Sequence, residues 1–319
     1  MAALRRRALG REALSFEEFM DVALYEPGIG YYRKPGPRIG YGPGTDFLTA
    51  SASAPLFGKL VAAACVQILG ARDPGLHDFV ELGAEGGKGI LDGVAHPFRS
   101  VRLVGAGEPI EIKGACVVFS NELFDAQPFR RFRMGDSTWR ELGVSVASDH
   151  LEEVILDSPV SAEIGLPEDA PVGYGIDAPL AAGTLAKAIA VQPWHGLFLT
   201  FDYGKMWEEI ATATPQGTAR AFRNHAQGND LLAYPGDQDL TCHVCWDWIG
   251  GALASAGFSE WCVESQEAFF VRHAAAFMET VTASEAGRLS RDKLSLLQLL
   301  HPANMGQKFQ ALWALRGPS

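Results

Sequence analysis

The stretch DFVELGAEGGKGILDGV (78–94) constrains this chain more than any other. A short apolar run, Phe79 to Leu82, ends in a glycine cluster and leads into a possible helix. A strand, a glycine loop and a helix in that order open a Rossmann-like α/β unit, whose ligands sit beyond the carboxyl ends of parallel strands. Glycines there let a backbone approach a ligand closely and adopt positive φ at little steric cost. A plain structural turn is the competing account. The loop is not a P-loop: Gly87-Lys88 is followed by Gly89 where Ser or Thr is needed, and the leading glycine is absent. Nor is it G-x-G-x-x-G, because Glu85 and Lys88 fill the second and third glycine places. A carboxylate at 85 would repel a pyrophosphate, which sets aside NAD, FAD and a dinucleotide oxidoreductase.

Further apolar runs at 101–104 (VRLV), 115–120 (ACVVFS) and 197–201 (LFLTF) read as buried strands. Asn121, Glu122 and Asp125 follow the second of these and Asp202 follows the third, so four polar side chains are expected to converge on one crevice. Helix capping and loop hydrogen bonding are the alternative use for them. SFEEFMDVALY (15–25) has apolar residues at helical spacing behind a Ser15/Glu18 capping box, and 55–69 reads as a second, mostly buried helix. Residues 27–47 form a long Gly/Pro-rich loop, 128–146 an antiparallel pair around Gly135-Asp136, and 158–182 an irregular stretch. The last third reads as helix 246–256, strand 258–264, helices across 273–300 and an apolar segment 309–315. The expected organisation is an N-terminal helical cap with the Gly/Pro-rich loop (1–76) and a Rossmann-like core (77–319) carrying an insertion around 128–195.

Composition narrows the partners. Of 319 residues, 47% are hydrophobic and 20% charged, with a formal net charge of −11, so a sequence-independent grip on nucleic acid is disfavoured. Arg130, Arg131 and Arg133 make the best basic patch, more simply explained as an alternating solvated strand. Five cysteines do not make a disulfide scaffold and fit a reducing, cytoplasmic setting. No run approaches the roughly 20 apolar residues of a membrane span. Cys242-His243-x-Cys245 lacks the second pair that a closed zinc site needs, so no metal is expected.

Several motifs, in order and almost end to end, resemble the MidA-like family of S-adenosyl-L-methionine (SAM)-dependent methyltransferases: SFEEFMDVALYEPGIGYY, GTDFLTA…PLFG, VELGAEGGKG, NELFDAQPFRRF, FDYG, PGDQDLTCHVCWDWI and LLHPANMGQKFQAL. The resemblance implies a seven-stranded core, SAM as cofactor and, from the mitochondrial relatives, methylation of a protein arginine. Glu122 would then pair with a guanidinium or amine acceptor, with Asn121 and Asp125 shaping its pocket. Glu81, Gly83, Gly86, Gly87 and Asp46 would border SAM. A eukaryotic member would work in the mitochondrial matrix, and a homodimer is compatible with the resemblance. The chain departs from relatives in three places. Glu85 stands where they carry glycine, with repulsion of the methionyl carboxylate as its expected effect. The Pro-Glu pair after the GDF-x-T signature is replaced by Ser51-Ala52. The stretch before NELFDA is short, leaving Glu108 as the candidate to hold the ribose. A non-catalytic protein of the same fold, acting as an interaction or assembly partner, is the alternative reading.

Overall fold

In the computed structural model, which describes residues 1–34, 55–284 and 290–318, the principal sheet contains six strands in the order 262–265, 310–316, 194–202, 114–121, 78–82, 100–104. Asp78–Leu82, Ser100–Val104, Gly114–Asn121 and Trp194–Asp202 run parallel. Gln310–Arg316 lies antiparallel against 194–202, and Cys262–Ser265 antiparallel against it in turn. The three central parallel strands, 78–82, 114–121 and 194–202, are mostly apolar on both faces, as buried parallel strands must be. Val117, Phe119, Leu197, Leu199 and Phe201 enter one core with helix Leu56–Leu69 and the 266–273 and 291–300 helices. Val80, Leu82, Val118 and Phe198 enter the other, under helices Leu180–Ala190 and Trp246–Ser255. The expected Rossmann-like α/β core with helices on both faces is therefore present.

Three details differ from expectation. The principal sheet has six strands among the described residues, not seven, since 83–113 contains one strand alone. No helix follows the glycine loop: 83–99 is turns and irregular chain. Gly83, Gly86, Gly87 and Gly93 there take φ of 81°, 60°, 69° and 69°, and each glycine weakens a helix by about 1 kcal/mol relative to alanine. Part of 158–182, read as irregular, is ordered: Gly175–Ala178 is a strand, and the alanine-rich helix from Leu180 begins just after Pro179.

A second sheet is built by the 128–195 segment. Arg130–Met134 and Trp139–Ser145 form the expected hairpin, flanked by 175–178 and 152–155. Ala13–Ser15 pairs antiparallel with 143–145, so the N-terminal segment completes this sheet. Helix Phe16–Tyr25 follows, with both arms of its Ser15/Glu18 capping box made. It packs Phe16, Phe19 and Met20 against Phe129, Val144, Leu240 and Cys242. The arginine stripe is ion-paired rather than simply solvated. Arg130 meets Glu141, Arg133 meets Glu153, and Arg131 bridges Glu153 and the buried Asp177. Among the described residues no helix is long and apolar enough to cross a membrane.

Candidate functional site

The carboxyl ends of strands 78–82, 100–104, 114–121 and 194–202 meet at one crevice. The parallel register that pairs Leu82 with Ser120 and Asn121 with Phe201 brings the glycine loop beside the Asn121-Glu122 turn. Glu122 has φ 52°, a left-handed conformation that costs a non-glycine residue about 1–2 kcal/mol. Its N–H donates to Phe201 O (2.9 Å), and its Oε1 accepts from Asn121 Nδ2 (2.8 Å). Strain of this kind persists where surrounding structure holds it, often at functional sites.

Asp202 does the holding. Its carboxylate accepts the N–H groups of Phe124 (3.0 Å), Asp125 (3.2 Å) and Tyr203 (2.9 Å), fixing the turn that carries Asn121, Glu122 and Asp125. Burial pushes its pKa well up, helped by the charges of Asp125 and Glu122. Asp125 is only 3% exposed, and burial lifts its pKa to about 6, opposed by the neighbouring Tyr203 hydroxyl. Asn121, Glu122, Asp125 and Asp202 are thus brought together as their spacing predicts.

Glu81 has a different role. It is 7% exposed, its Oε2 accepts the Ile90 N–H (2.9 Å), and burial raises its pKa to about 7. It ties down the far end of the glycine loop from underneath. Gly83, Gly86 and Gly87 are exposed on top. At Gly86 and Gly87 an added Cβ would meet nothing within 4 Å, so the backbone there faces open space. At the end of the 100–104 strand, Glu108 Oε2 accepts the Gly105 N–H (2.9 Å) and its carboxylate stays exposed. An open glycine backbone, a carboxylate at the next strand end and a polar turn at the third fit an adenosyl ligand with hydroxyls to be held. Asp46 and Ser51-Ala52 lie outside the described residues.

Sequence reasoning missed the segment that walls the crevice. After helix 16–25 the chain crosses the strand ends and fastens at four points. Tyr25 Oη donates to Ala126 O (2.9 Å), and Tyr32 Oη to Asp239 Oδ1 (2.8 Å). Lys34 Nζ reaches Gly236 O (2.7 Å) and Asp237, and Arg33 donates to Ala106 O. Tyr25 and Tyr32 stack with centroids 5.6 Å apart. Asp239 is 3% exposed, and burial lifts its pKa to about 8, with the Asp125 and Glu85 charges adding to the rise. The Glu85 charge is felt at Tyr32 as well.

The site is acidic and rich in acceptors. Among the described residues, Glu81, Asp125, Asp202 and Asp239 form no ion pair. Asn121 Oδ1 is buried with no hydrogen-bond partner among the described residues, and the Tyr203 hydroxyl lies beside the buried Asp125 carboxylate and Thr241 hydroxyl. Cys242 and Cys245 face different cores, and burial drives their thiols up, Cys245 to about 12.

Known proteins share this fold. A mitochondrial "Protein arginine methyltransferase NDUFAF7" from Danio rerio is 24% identical, the match covering 96% of this chain and 84% of the relative. A crystal structure of a "likely methyl transferase" from Burkholderia thailandensis bound to S-adenosyl-homocysteine superposes with a TM-score of 0.85 at 26% identity, covering 100% of this chain and 92% of that one. A native structure of an uncharacterized protein from the same organism gives a TM-score of 0.81 at 25% identity, covering 100% of this chain and 91% of that chain. Residues 101–260 match the model of a family described as "Putative S-adenosyl-L-methionine-dependent methyltransferase". With half its length in that match and the strand-end crevice intact, the chain belongs to this family of SAM-dependent methyltransferases.

Proposed function

We propose that the chain methylates an arginine side chain of a protein, with SAM as methyl donor. The observation that carries this reading is the Glu122 carboxylate, held on its left-handed turn beside the buried Asp125 and beside Asn121 Oδ1, a buried acceptor with no donor among the described residues. A guanidinium is positively charged, always protonated and carries five N–H donors with no acceptor, so it complements such a site. The name of the Danio rerio relative points the same way.

SAM, when bound, supplies an electrophilic methyl group on its sulfonium. Gly83, Gly86 and Gly87 offer it an open backbone, Glu81 holds the loop in shape, and Glu108 is placed to accept ribose hydroxyl donors. Asp46 is assigned to the same border by resemblance alone. The Glu122 carboxylate accepts guanidinium N–H groups, fixes the plane of the acceptor and takes up the proton that methylation releases. Asp202 works through the backbone, keeping Glu122 in place. The cap of 1–76 and the core of 77–319 meet at this crevice in our assignment. Its five cysteines, all unpaired, suit a reducing compartment, the cytoplasm or, in a eukaryote, the mitochondrial matrix.

Two measurements test the reading. Titration calorimetry should show saturable binding of SAM and S-adenosylhomocysteine, and methyl transfer from labelled SAM should appear on arginine in amino-acid analysis of an acceptor protein. Glu122→Gln should keep the fold and S-adenosylhomocysteine binding but lower transfer about 100-fold, the scale of a lost proton acceptor. A chain that binds neither cofactor form is an interaction or assembly partner instead, the reading favoured by the missing helix after the glycine loop.

A further inference from the structure

The turn that carries Glu108 is the least supported part of the crevice. Strand 100–104 lies at the edge of the principal sheet and pairs with 78–82 alone. Beyond it, residues 105–113 hold no helix before the 114–121 strand begins. Parallel strands of one sheet are usually joined by a dozen or more residues that include a helix, and that helix braces the strand end it leaves. Here the brace is missing. Two hydrogen bonds, Glu108 N–H to Gly105 O (3.1 Å) and Gly105 N–H to Glu108 Oε2 (2.9 Å), close the turn on itself without tying it to the other wall.

Arg33 ties it. Its guanidinium donates to Ala106 O, and a Cβ added at Gly107 would overlap that same guanidinium. Gly107 has φ 77°, so the backbone and the close approach both demand glycine there. Arg33 is in turn held by its own neighbours. It ends the 3-10 turn Tyr31–Arg33, in which its N–H donates to Gly30 O (2.9 Å). Tyr32 before it donates to Asp239 Oδ1 (2.8 Å), and Lys34 after it to Gly236 O (2.7 Å). The segment therefore runs as a tie from 236–239 to the 105–108 turn. Among the described residues no ion pair joins Arg33 to Glu108, so the brace grips the backbone and leaves that exposed carboxylate open.

We infer that Arg33 is a positioning residue for the cofactor: by fixing the 105–108 turn it holds Glu108 where the ribose hydroxyls arrive. This rests on the methyltransferase reading and deepens it, because the N-terminal segment then supplies the brace that the short 105–113 connection lacks.

The test compares S-adenosylhomocysteine with its 2′,3′-dideoxy analogue, which differs in the ribose hydroxyls alone. Calorimetry measures both ligands on the wild type, Arg33→Ala, Arg33→Lys, Glu108→Gln and the Arg33→Ala/Glu108→Gln pair. Wild type should prefer the hydroxylated ligand at least tenfold, the scale of a polar group left unpaired. Arg33→Ala should bind S-adenosylhomocysteine about tenfold more weakly and lose that preference, as Glu108→Gln should. The double variant should be no weaker than either single one by more than about twofold, since residues that act through one contact are not additive. Arg33→Lys keeps a donor for Ala106 O and should recover most of the preference. Arg33 is partly exposed, so its variants should melt with the wild type when no ligand is present. Equal weakening towards both ligands, with the preference intact, would reduce Arg33 to a merely structural role and overturn the inference. A wild type that binds S-adenosylhomocysteine without preferring its hydroxyls overturns it too, and leaves the methyltransferase reading standing. Binding of neither ligand overturns both. A ribose preference that depends on Arg33, in a chain that transfers no methyl group, would uphold the brace and refute the activity.

Discussion

Glu122 combines a half-exposed carboxylate with a left-handed backbone. That pairing separates its contribution to folding from its contribution to chemistry. Glycine adopts φ near 52° freely, whereas alanine keeps the strain, so Glu122→Gly should be more stable than Glu122→Ala by about 1 kcal/mol in thermal melts. Equal stability would mean that the backbone relaxes once the side chain is gone. The position of Glu122 was readable, because an apolar strand runs straight into it. Its conformation was not, since φ there depends on Phe201 O and on the Asp202 carboxylate, about eighty residues further along. Asp239 was harder still. It sits inside a motif, but its importance comes from Tyr32, 207 positions away, and no local pattern signals that pairing.

At the scale of elements, the 130–134 strand shows how far alternation can be read. Its hairpin was legible from the turn at Gly135, and the arginines were expected to be a solvated face. Arg131 instead crosses to Asp177, which is 1% exposed and also accepts the Thr218 and Ala219 N–H groups at 2.7 Å each. Removing one partner of a buried pair strands the other charge. Arg131→Ala should therefore cost about 3 kcal/mol in denaturant unfolding. Arg133→Ala, whose partner Glu153 retains Arg131, should cost under about 1 kcal/mol. Similar costs for the two would show that Arg131 is not functioning as a buried partner. The helix missing after the glycine loop and the helix present at 180–190 have one explanation. Flexible glycines at 83–93 outweigh periodicity, whereas a lone Pro179 sits ahead of an alanine-rich run and merely marks its start.

For the whole molecule, the buried acids set the response to pH. Glu81, Asp125 and Asp239 titrate at about 7, 6 and 8 in the folded chain, against ordinary values near 4. A carboxyl with a raised folded pKa keeps its proton in the native state after the unfolded chain has lost it. Its stabilisation is complete below about pH 4 and fades as pH rises through the folded pKa. The paired carboxylates Asp78 and Glu18, whose pKa values their arginine partners lower, act in the opposite direction and are lost in acid. Thermal stability should therefore peak near pH 5 and fall towards pH 9. Asp239→Asn, which keeps an acceptor for Tyr32, should flatten the upper part of that fall. A melting temperature that climbs from pH 5 to pH 8 would exclude control by these acids. The overall α/β order was legible because each core strand is short, apolar and glycine-bounded. The sheet's exact membership was not, because pairing is settled between segments far apart.

One such pairing reaches back to the birth of the chain. The 310–316 strand slots between 194–202 and 262–265. On a ribosome, therefore, the strand that carries Asp202 emerges with one flank bare. Its partner follows roughly 110 residues later, a wait on the order of ten seconds at ordinary elongation rates. During that interval Thr200 and Phe201 offer open backbone groups to any passing strand. A nascent chain of this protein should be most dependent on chaperones just before its last strand appears, and most vulnerable to stalling there.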